Sequence, residues 1–245
     1  MSPATAEVLL RLEPAAWRLR GPAGELLVAL DGAPVEALAR FDGAATRGAG
    51  RLKVVLGDGV LRYLALRWPD KVVRAAERRA WLLHRFQTVH GVAEPDWMLV
   101  SDRDAVGATA LACAVPRALV DGLRAFAAAR GLRLIAIEGD FVDAYNAVQA
   151  GLDEARGNYG LLALARGGRV TAGLWRKGEW LALRSQAHGP SVAMEVCRML
   201  ESWLSDAAPE SVEPRVEPGT LYAVGFAPLV PAGWRASRLK EPACA

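Results

Sequence analysis

The chain has 245 residues, with 30 Lys or Arg and 27 Asp or Glu, so its formal net charge is +3 at pH 7. Charged residues make up 23% of the chain, an ordinary share that excludes collagen-like and intrinsically disordered proteins. The hydrophobic fraction is 52%. Apolar residues nevertheless never run together for about 20 positions, so we predict no membrane-spanning helix. The length suits one large domain or two modest lobes.

The N-terminal sequence MSPATAEVLLRLEP lacks a basic leader, and Arg11 interrupts its apolar residues, so no secretory signal is predicted. The three cysteines lie far apart without a CxxC pair, which fits neither a disulfide framework nor a zinc site. Positive charge is spread along the chain and gives only weak support for a nucleic-acid partner. We therefore predict a cytoplasmic protein with free thiols, no bound metal and no nucleic-acid partner.

The first half of the chain opens with short strands. Three β-like runs, at residues 7–12, 16–19 and 25–30, are separated by turn signals and predict a small meander. Farther along, two apolar runs flank Gly57-Asp58-Gly59. Because glycine supplies the positive φ of a tight turn, this sequence predicts a hairpin between the two runs.

A helical period follows. Apolar residues recur every 3.6 positions over residues 70–90 and predict an amphipathic helix. Its predicted buried face consists of Val73, Ala76, Ala80, Leu83 and Phe86. The runs 97–101 and 108–115 predict a second hairpin, and after a further helix come the strand 132–137 and a helix that Asp140 is placed to cap.

The second half repeats this order in outline. We expect a boundary within residues 152–158, where helical periodicity is lost. Beyond it the sequence predicts a three-stranded meander, a helix and two more strands, at residues 159–165, 169–175, 179–184, 191–206, 221–226 and 234–237. Such a repeat predicts two α/β lobes, each a mixed sheet with helices packed against it.

Motifs for catalysis are sparse. The sequence contains no GxxxxGK[ST], GxGxxG or GxSxG. Candidate acids, bases or magnesium ligands are Asp102, Asp104, Glu138, Asp140 and Asp143. Glu138 and Asp140 follow an apolar strand and precede a helix, where many α/β folds place an active-site acid. An N-cap needs an Asp at the same place, so capping is the alternative for Asp140.

Several tryptophans lie near turns, beside Arg or Glu. They are Trp17, Trp68, Trp175, Trp180 and Trp234. Such positions suit a partly exposed rim at a protein interface, and they equally suit core packing, which is the commoner role of a single tryptophan.

Three stretches carry a resemblance to one family. VVLGDGVLRYLALRWP ends at a Trp-Pro that leads into an amphipathic helix, and LACAVPRALVDGLRAFAAARGLRLIAIEGDFVDAYNAV orders strand, helix, strand, acidic cap and helix. NYGLLALARGGRVTAGLWRKGEWLALRSQ is similar to the start of a second actin-like lobe. Together they resemble the cytoplasmic actin-like family of the type IV pilus assembly protein PilM, the type II secretion protein GspL and the pilus biogenesis protein MshI.

The resemblance implies an α/β, actin-like (RNase H-like) fold of two lobes. We expect a first lobe over residues 1–152, with an inserted hairpin at 97–115, and a shorter second lobe over 153–245. Actin-like ATPases hold phosphates and Mg²⁺ with an acidic residue and a Gly-rich turn at the start of each lobe. The corresponding stretches here, EVLLRLEPAAWRLR and NYGLLALARGG, contain no Asp-x-Gly. The residues therefore support no cofactor, and we expect ATP with Mg²⁺ to bind weakly or not at all.

Two functions remain open. The resemblance implies a non-catalytic adaptor or scaffold of a type IV pilus or type II secretion-like envelope machine, held at the inner membrane by the cytoplasmic tail of a membrane protein. The alternative is a divergent actin-like ATPase or phosphotransferase that uses Asp58, Glu138 or Asp140 as metal ligand or base.

The sequence also suggests where an adaptor would contact its partner. The candidate residues are Arg62, Tyr63, Trp68 and Arg79. An aromatic and Arg rim beside an exposed strand edge takes up an extended peptide. Packing of Tyr63 and Trp68 inside the lobe is the alternative.

Overall fold

The computed structural model describes residues 6–93, 95–102, 109–152, 159–207 and 219–239. Its strands are β1 (Ala6–Leu12), β2 (Ala16–Gly21), β3 (Gly24–Ala29), β4 (Ala49–Leu56), β5 (Arg62–Arg67), β6 (Trp97–Ser101), β7 (Thr109–Pro116), β8 (Arg133–Gly139), β9 (Tyr159–Arg166), β10 (Arg169–Arg176), β11 (Glu179–Ala187), β12 (Gly219–Val224) and β13 (Trp234–Arg238). Its α-helices are α1 (Pro34–Ala37), α2 (Ala75–His90), α3 (Arg117–Ala129), α4 (Asp140–Val148) and α5 (Val192–Ala207).

The chain divides into two compact units, and neither is continuous in sequence. The first comprises Met1–Leu61, Ala93–Met98 and Ala114–Asp143, and the second comprises Arg62–Val92, Leu99–Cys113 and Ala144–Ala245. The lobes expected over 1–152 and 153–245 stay a prediction, because residues 153–158, at their boundary, lie outside the described residues.

The first unit contains a five-stranded sheet of order β3-β2-β1-β4-β8. β1 pairs antiparallel with β2 and parallel with β4, and β4 pairs parallel with β8. Alternation along β1 buries Val8, Leu10 and Leu12 on one face and turns Arg11 to the other. α3 packs closely against α1, since a Cβ added at Gly122 would lie 2.1 Å from Cγ2 of Val35.

The hairpin predicted around Gly57-Asp58-Gly59 is wrong. β4 and β5 belong to different sheets, because both edges of β4 already carry parallel strands while β5 pairs with β7 in a sheet of order β5-β7-β6. Neither glycine adopts a positive φ. Asp58 is buried, and its carboxylate accepts a 3.2 Å hydrogen bond from the backbone N–H of Phe141 in the first turn of α4.

The predicted buried face of the helix over residues 70–90 is mostly wrong. α2 begins at Ala75, so Val73 lies outside it and is 61% exposed, and Ala76 and Ala80 are exposed as well. The buried residues of α2 are Leu82 and Phe86. A leucine removes far more apolar area from water than an alanine does, so the larger side chains set how the helix faces its sheet.

The second unit contains a five-stranded sheet of order β11-β10-β9-β12-β13. The meander β9-β10-β11 is confirmed, with positive φ at Gly167-Gly168 and Lys177-Gly178 in its two tight turns. The helix predicted over residues 191–206 is confirmed as α5. Its residues Val196, Met199, Leu200 and Trp203 pack on one sheet face with Leu161, Ala172, Leu174 and Leu221.

β12 and β13 pair in parallel, although only residues 225–233 join them and these contain no helix. Parallel neighbours usually need a helical crossover of a dozen residues or more. Phe226 and Val230 of this connection pack against the α5 side of the sheet instead.

Candidate functional site

Five charged side chains form a network on one face of the first sheet, which we call the charge network: Arg11, Lys53, Glu138, Asp140 and Asp143. Arg11, only 7% exposed, is ion-paired with Asp140, and its Nη2 donates to Oδ2 of Asp143 at 2.8 Å. Nζ of Lys53 donates to Oδ1 of Asp143 at 2.8 Å and lies 3.0 Å from Oε2 of Glu138. Two cations thus meet three carboxylates in a half-buried setting.

Strand register brings the charge network together. Leu9 lies opposite Lys53, and Arg11 lies opposite Val55, so Arg11 and Lys53 project from the same sheet face two register positions apart. β8 is parallel to β4 and delivers Glu138 at its carboxyl end. α4 starts directly afterwards, which places Asp140 and Asp143 in a first turn, where negative charge is favourable.

The network shifts the pKa values of two of its members. Burial alone raises the pKa of Asp143, but hydrogen bonds from Lys53 and Arg11 outweigh it, and the pKa falls below its ordinary value. Burial likewise lowers the pKa of Lys53, but hydrogen bonds to Asp143 and Glu138 leave the pKa raised. The charge network therefore stabilises the charged forms of Asp143 and Lys53.

The candidate catalytic carboxylates that the structure describes form ion pairs or hydrogen bonds with other groups of the protein. Glu138 and Asp140 belong to the charge network, and Asp58 accepts from the N–H of Phe141 beside it. Asp102 accepts a 2.7 Å hydrogen bond from the N–H of Leu111. Asp104 lies outside the described residues. In the parts of the chain that the structure describes, no three His, Cys, Asp or Glu side chains are grouped to hold a metal ion.

Arg11 and Lys53 are the members that the sequence did not indicate. In the sequence, Arg11 merely interrupts an apolar run, and Lys53 stands alone in another. The signal that could have found them is a single cation in a strand whose alternate residues are apolar, opposite a carboxylate-rich helix start.

The turn between β1 and β2 does not fit a phosphate with its magnesium. Its Glu13 carboxylate pairs with Arg18 at 2.7 Å, and Pro14 has no N–H to donate. The turn between β9 and β10 is a two-residue hairpin at Gly167-Gly168. Each turn leads into a paired strand, so neither offers the helix N-terminus at which phosphates commonly bind.

The four residues suggested for partner contact differ in exposure. Tyr63 and Trp68 are buried, at 4% and 2% exposure, and Trp68 packs on Trp81 with ring centroids 5.3 Å apart. The packing alternative therefore describes these two aromatics. Arg62 is half-buried and Arg79 is exposed, so a partner would reach the two arginines. That contact stays a prediction.

The tryptophans near turns are core residues, since all five are buried: Trp17, Trp68, Trp175, Trp180 and Trp234. Trp175 and Trp180 pack edge to face at 5.5 Å, Tyr145 of α4 lies 5.0 Å from Trp180, and Tyr222 stacks on Trp175. Gly160 permits this aromatic cluster, because a Cβ there would lie 2.3 Å from the Trp175 ring. The tryptophans stand out in the sequence, but Gly160, on which the Trp175 ring packs, does not.

No helix among the described residues combines the length and the apolar character that crossing a bilayer requires. No protein-family model and no curated protein matches the sequence.

Solved structures do match. A Bacteroides thetaiotaomicron protein with an actin-like ATPase fold is similar with a TM-score of 0.58 at 10% identity, over 91% of this chain and 83% of that chain. The chain has the actin-like fold.

Two further neighbours share this actin-like fold. The cytoplasmic domain of EpsL, an inner membrane component of the type II secretion system of Vibrio cholerae, gives a TM-score of 0.59 at 13% identity, over 96% of this chain and 90% of that one. The PilM-PilN type IV pilus biogenesis complex gives a TM-score of 0.59 at 14% identity, over 90% of this chain and 82% of that chain. The fold predicted from the resemblance to PilM and GspL is therefore confirmed.

Proposed function

We propose that this actin-like chain is a non-catalytic scaffold of a type IV pilus or type II secretion-like envelope machine, and that it binds an inner-membrane protein. The charge network carries the proposal. Carboxylates at the end of β8 and in the first turn of α4 are paired with the protein's own Arg11 and Lys53. They serve packing inside the first unit instead of standing ready for a metal ion.

The energetics of nucleotide binding support this interpretation. A magnesium nucleotide needs carboxylates for the metal and fixed N–H dipoles for the phosphates, and both are worth several kcal/mol when properly placed. Releasing both Asp140 and Asp143 for a metal would leave Arg11 buried without a partner, a cost of about 3–5 kcal/mol. Glu13 would also repel a phosphate at the β1–β2 turn.

The partner side of the proposal rests on the neighbours and on two arginines. PilM occurs in a complex with PilN, and EpsL is an inner membrane component of its system. Arg79 is exposed and Arg62 is half-buried here, and Arg is enriched among residues that dominate binding energy. We propose that they contact the tail of a membrane protein, which would hold the chain at the cytoplasmic side of the inner membrane.

The first experiment is a nucleotide titration of the purified chain. A ligand at about 100 times its dissociation constant stabilises a protein by roughly 2.7 kcal/mol, which moves its unfolding midpoint by degrees. We expect no shift with millimolar ATP and Mg²⁺. A saturable shift that Asp140→Asn abolishes would contradict the proposal and support the ATPase or phosphotransferase.

The second experiment tests the partner. A photo-crosslinking residue at position 62 or 79 should capture an inner-membrane protein in cells, while the same residue at exposed position 235 should not. The tail of the captured protein is then titrated against the chain. We expect R62A with R79A to weaken binding at least about tenfold, or about 1.4 kcal/mol, and R124A on α3 to leave it unchanged. Equal affinity of all three proteins would remove these arginines from the interface.

A further inference from the structure

Residues 62–85 carry an excess of positive charge. They contain seven of the chain's 30 Lys and Arg but two of its 27 Asp and Glu, so their net charge is +5. The chain as a whole has +3, which leaves −2 for all its other residues together. Five of the seven cations are exposed: Arg67, Lys71, Arg74, Arg79 and Arg85. Such an excess within one segment of a nearly neutral chain favours contact with an anionic partner.

Helical spacing brings part of this charge to one side of α2. Successive positions among Arg74, Arg78, Trp81, Arg85 and Val89 are three or four residues apart, so these residues line one side over about 22 Å. Trp81 is half-buried, and Val89 is 48% exposed. Cations and partly exposed apolar side chains therefore share this side, which we call the basic stripe.

The loop before α2, residues 68–74, adds a further cation and an exposed valine. Lys71 is exposed, and Val73 is 61% exposed. The guanidinium of Arg78 donates to the carbonyl of Val73, and the N–H of Arg74 donates to the Glu77 carboxylate at 3.2 Å. These bonds hold the loop on the first turn of the helix, so binding there would cost little conformational entropy.

Neighbouring carboxylates do not neutralise this surface. Asp70 and Glu77 are the acidic residues of the segment, and Glu77 already accepts a hydrogen bond from the N–H of Arg74. Four of the exposed cations form no ion pair with any other residue that the structure describes: Arg67, Lys71, Arg74 and Arg85. Their charges are therefore available to an external anion.

We propose that the basic stripe, together with Arg67, Lys71 and Val73, binds the anionic headgroups of a phospholipid bilayer. The cations pair with the headgroup phosphates, and the exposed valines meet the boundary between headgroups and acyl chains. The apolar face of α2, Leu82 and Phe86, is buried in the protein. The helix therefore lies on the bilayer surface without inserting, and most of the binding free energy is electrostatic and sensitive to salt.

A bilayer fits this surface better than other anions do. Nucleic acid would pair with the cations but leave Val73 and Val89 exposed to water, whereas a membrane surface accommodates both kinds of side chain. Clusters of about four to eight Lys or Arg are typical of segments that bind anionic lipids, and residues 62–85 contain seven. Direct lipid contact goes beyond the proposed scaffold function, which requires a protein partner.

Flotation of the whole chain with vesicles tests the proposal. The vesicles contain equal parts of phosphatidylglycerol and phosphatidylcholine, or phosphatidylcholine alone. We expect binding to the anionic vesicles and not to the others, with loss of binding as salt rises to about 1 M, where the Debye length is about 3 Å. Each Lys or Arg near an anionic surface strengthens binding about fivefold, so Lys71→Gln with Arg74→Gln should weaken it at least about tenfold.

The matched control is Arg235→Gln with Arg238→Gln. Both arginines are exposed on β13, and the change removes the same two charges from the chain, so binding should stay as it is. Val73→Ser tests the apolar contact and should weaken binding at least about twofold. Unchanged binding of Val73→Ser would contradict the contact of the valines with the bilayer.

Three further results would overturn the proposal. The first is no flotation with anionic vesicles at low salt, and the second is equal weakening by the two double variants, which would reflect net charge alone. The third is a chain that does not float but whose binding of a membrane-protein tail is lost in Lys71→Gln with Arg74→Gln, which would assign the surface to that tail. None of these results contradicts the scaffold function, because its partner test uses Arg62 and Arg79.

Discussion

Arg11 is a charged residue whose contribution to stability depends on its carboxylate partners. Its side chain is about 8% exposed and reaches both Asp140 and Asp143. We predict that Arg11→Met lowers the free energy of unfolding by about 3–5 kcal/mol, because it leaves the buried Asp140 and the half-buried Asp143 without a guanidinium. Urea denaturation at neutral pH measures the loss.

The matched control is Arg124→Met on α3. Arg124 lies 3.3 Å from Asp121, but both side chains are more than half exposed. Exposed ion pairs contribute about 0–1 kcal/mol, so the control should cost at most about 1 kcal/mol. If the two variants lose the same stability, the charge network is no more important than a surface ion pair.

At the scale of elements, the contact between α1 and α3 decides whether a Gly→Ala substitution in α3 raises or lowers the stability of the protein. Gly→Ala within a helix usually gains about 0.5–1 kcal/mol. At Gly122, however, the new Cβ would meet Val35, whose branched side chain has little freedom to move. We predict that Gly122→Ala destabilises the protein by about 1–3 kcal/mol, measured by denaturant unfolding.

Two further variants isolate this contact. Adding Val35→Ala to Gly122→Ala should restore stability relative to Val35→Ala alone, since the clash is gone. Gly43→Ala should be neutral, because nothing lies within 4 Å of a Cβ there. A stable Gly122→Ala protein would mean that α1 moves away from α3 without cost.

Element prediction from sequence succeeded where local chemistry decides and failed where pairing is long-range. The meander β9-β10-β11 follows from Gly167-Gly168 and Lys177-Gly178, whose positive φ values close tight turns. Gly57-Asp58-Gly59 looks equally suitable, but β4 pairs with β1 and β8, which lie far away in sequence. No local sequence pattern shows that both edges of β4 are already paired.

The whole molecule should lose stability in acid through the charge network. The folded-state pKa of Asp143 lies below the ordinary value of 3.8, so its contribution is complete above that pH and is lost as pH falls through the folded pKa. We predict that the urea midpoint falls steeply in this window and that Asp143→Asn or Lys53→Met makes the fall shallower. Identical pH profiles for all three proteins would contradict the role of Asp143.

The fold as a whole was predictable from sequence, but the candidate site was so only in part. The carboxylates Glu138, Asp140 and Asp143 stand out because they surround a strand-to-helix junction. Their cations do not, since Arg11 and Lys53 come from strands far away in the chain and only the parallel register brings them near. Tyr63 and Trp68, by contrast, stand out in the sequence, but an amphipathic aromatic suits an interface rim and a core equally well. Only the packing shows that these two are buried.

The separation of Arg11 from its carboxylates also matters during synthesis on the ribosome. β1 and β4 emerge early, but their cations meet Asp140 and Asp143 only after residue 143 has left the exit tunnel. At about 5–20 residues per second, synthesis of the first 143 residues alone takes roughly 7–29 seconds. The first sheet therefore completes its folding late, when more than half of the chain already exists, and the nascent segment must stay unaggregated until then.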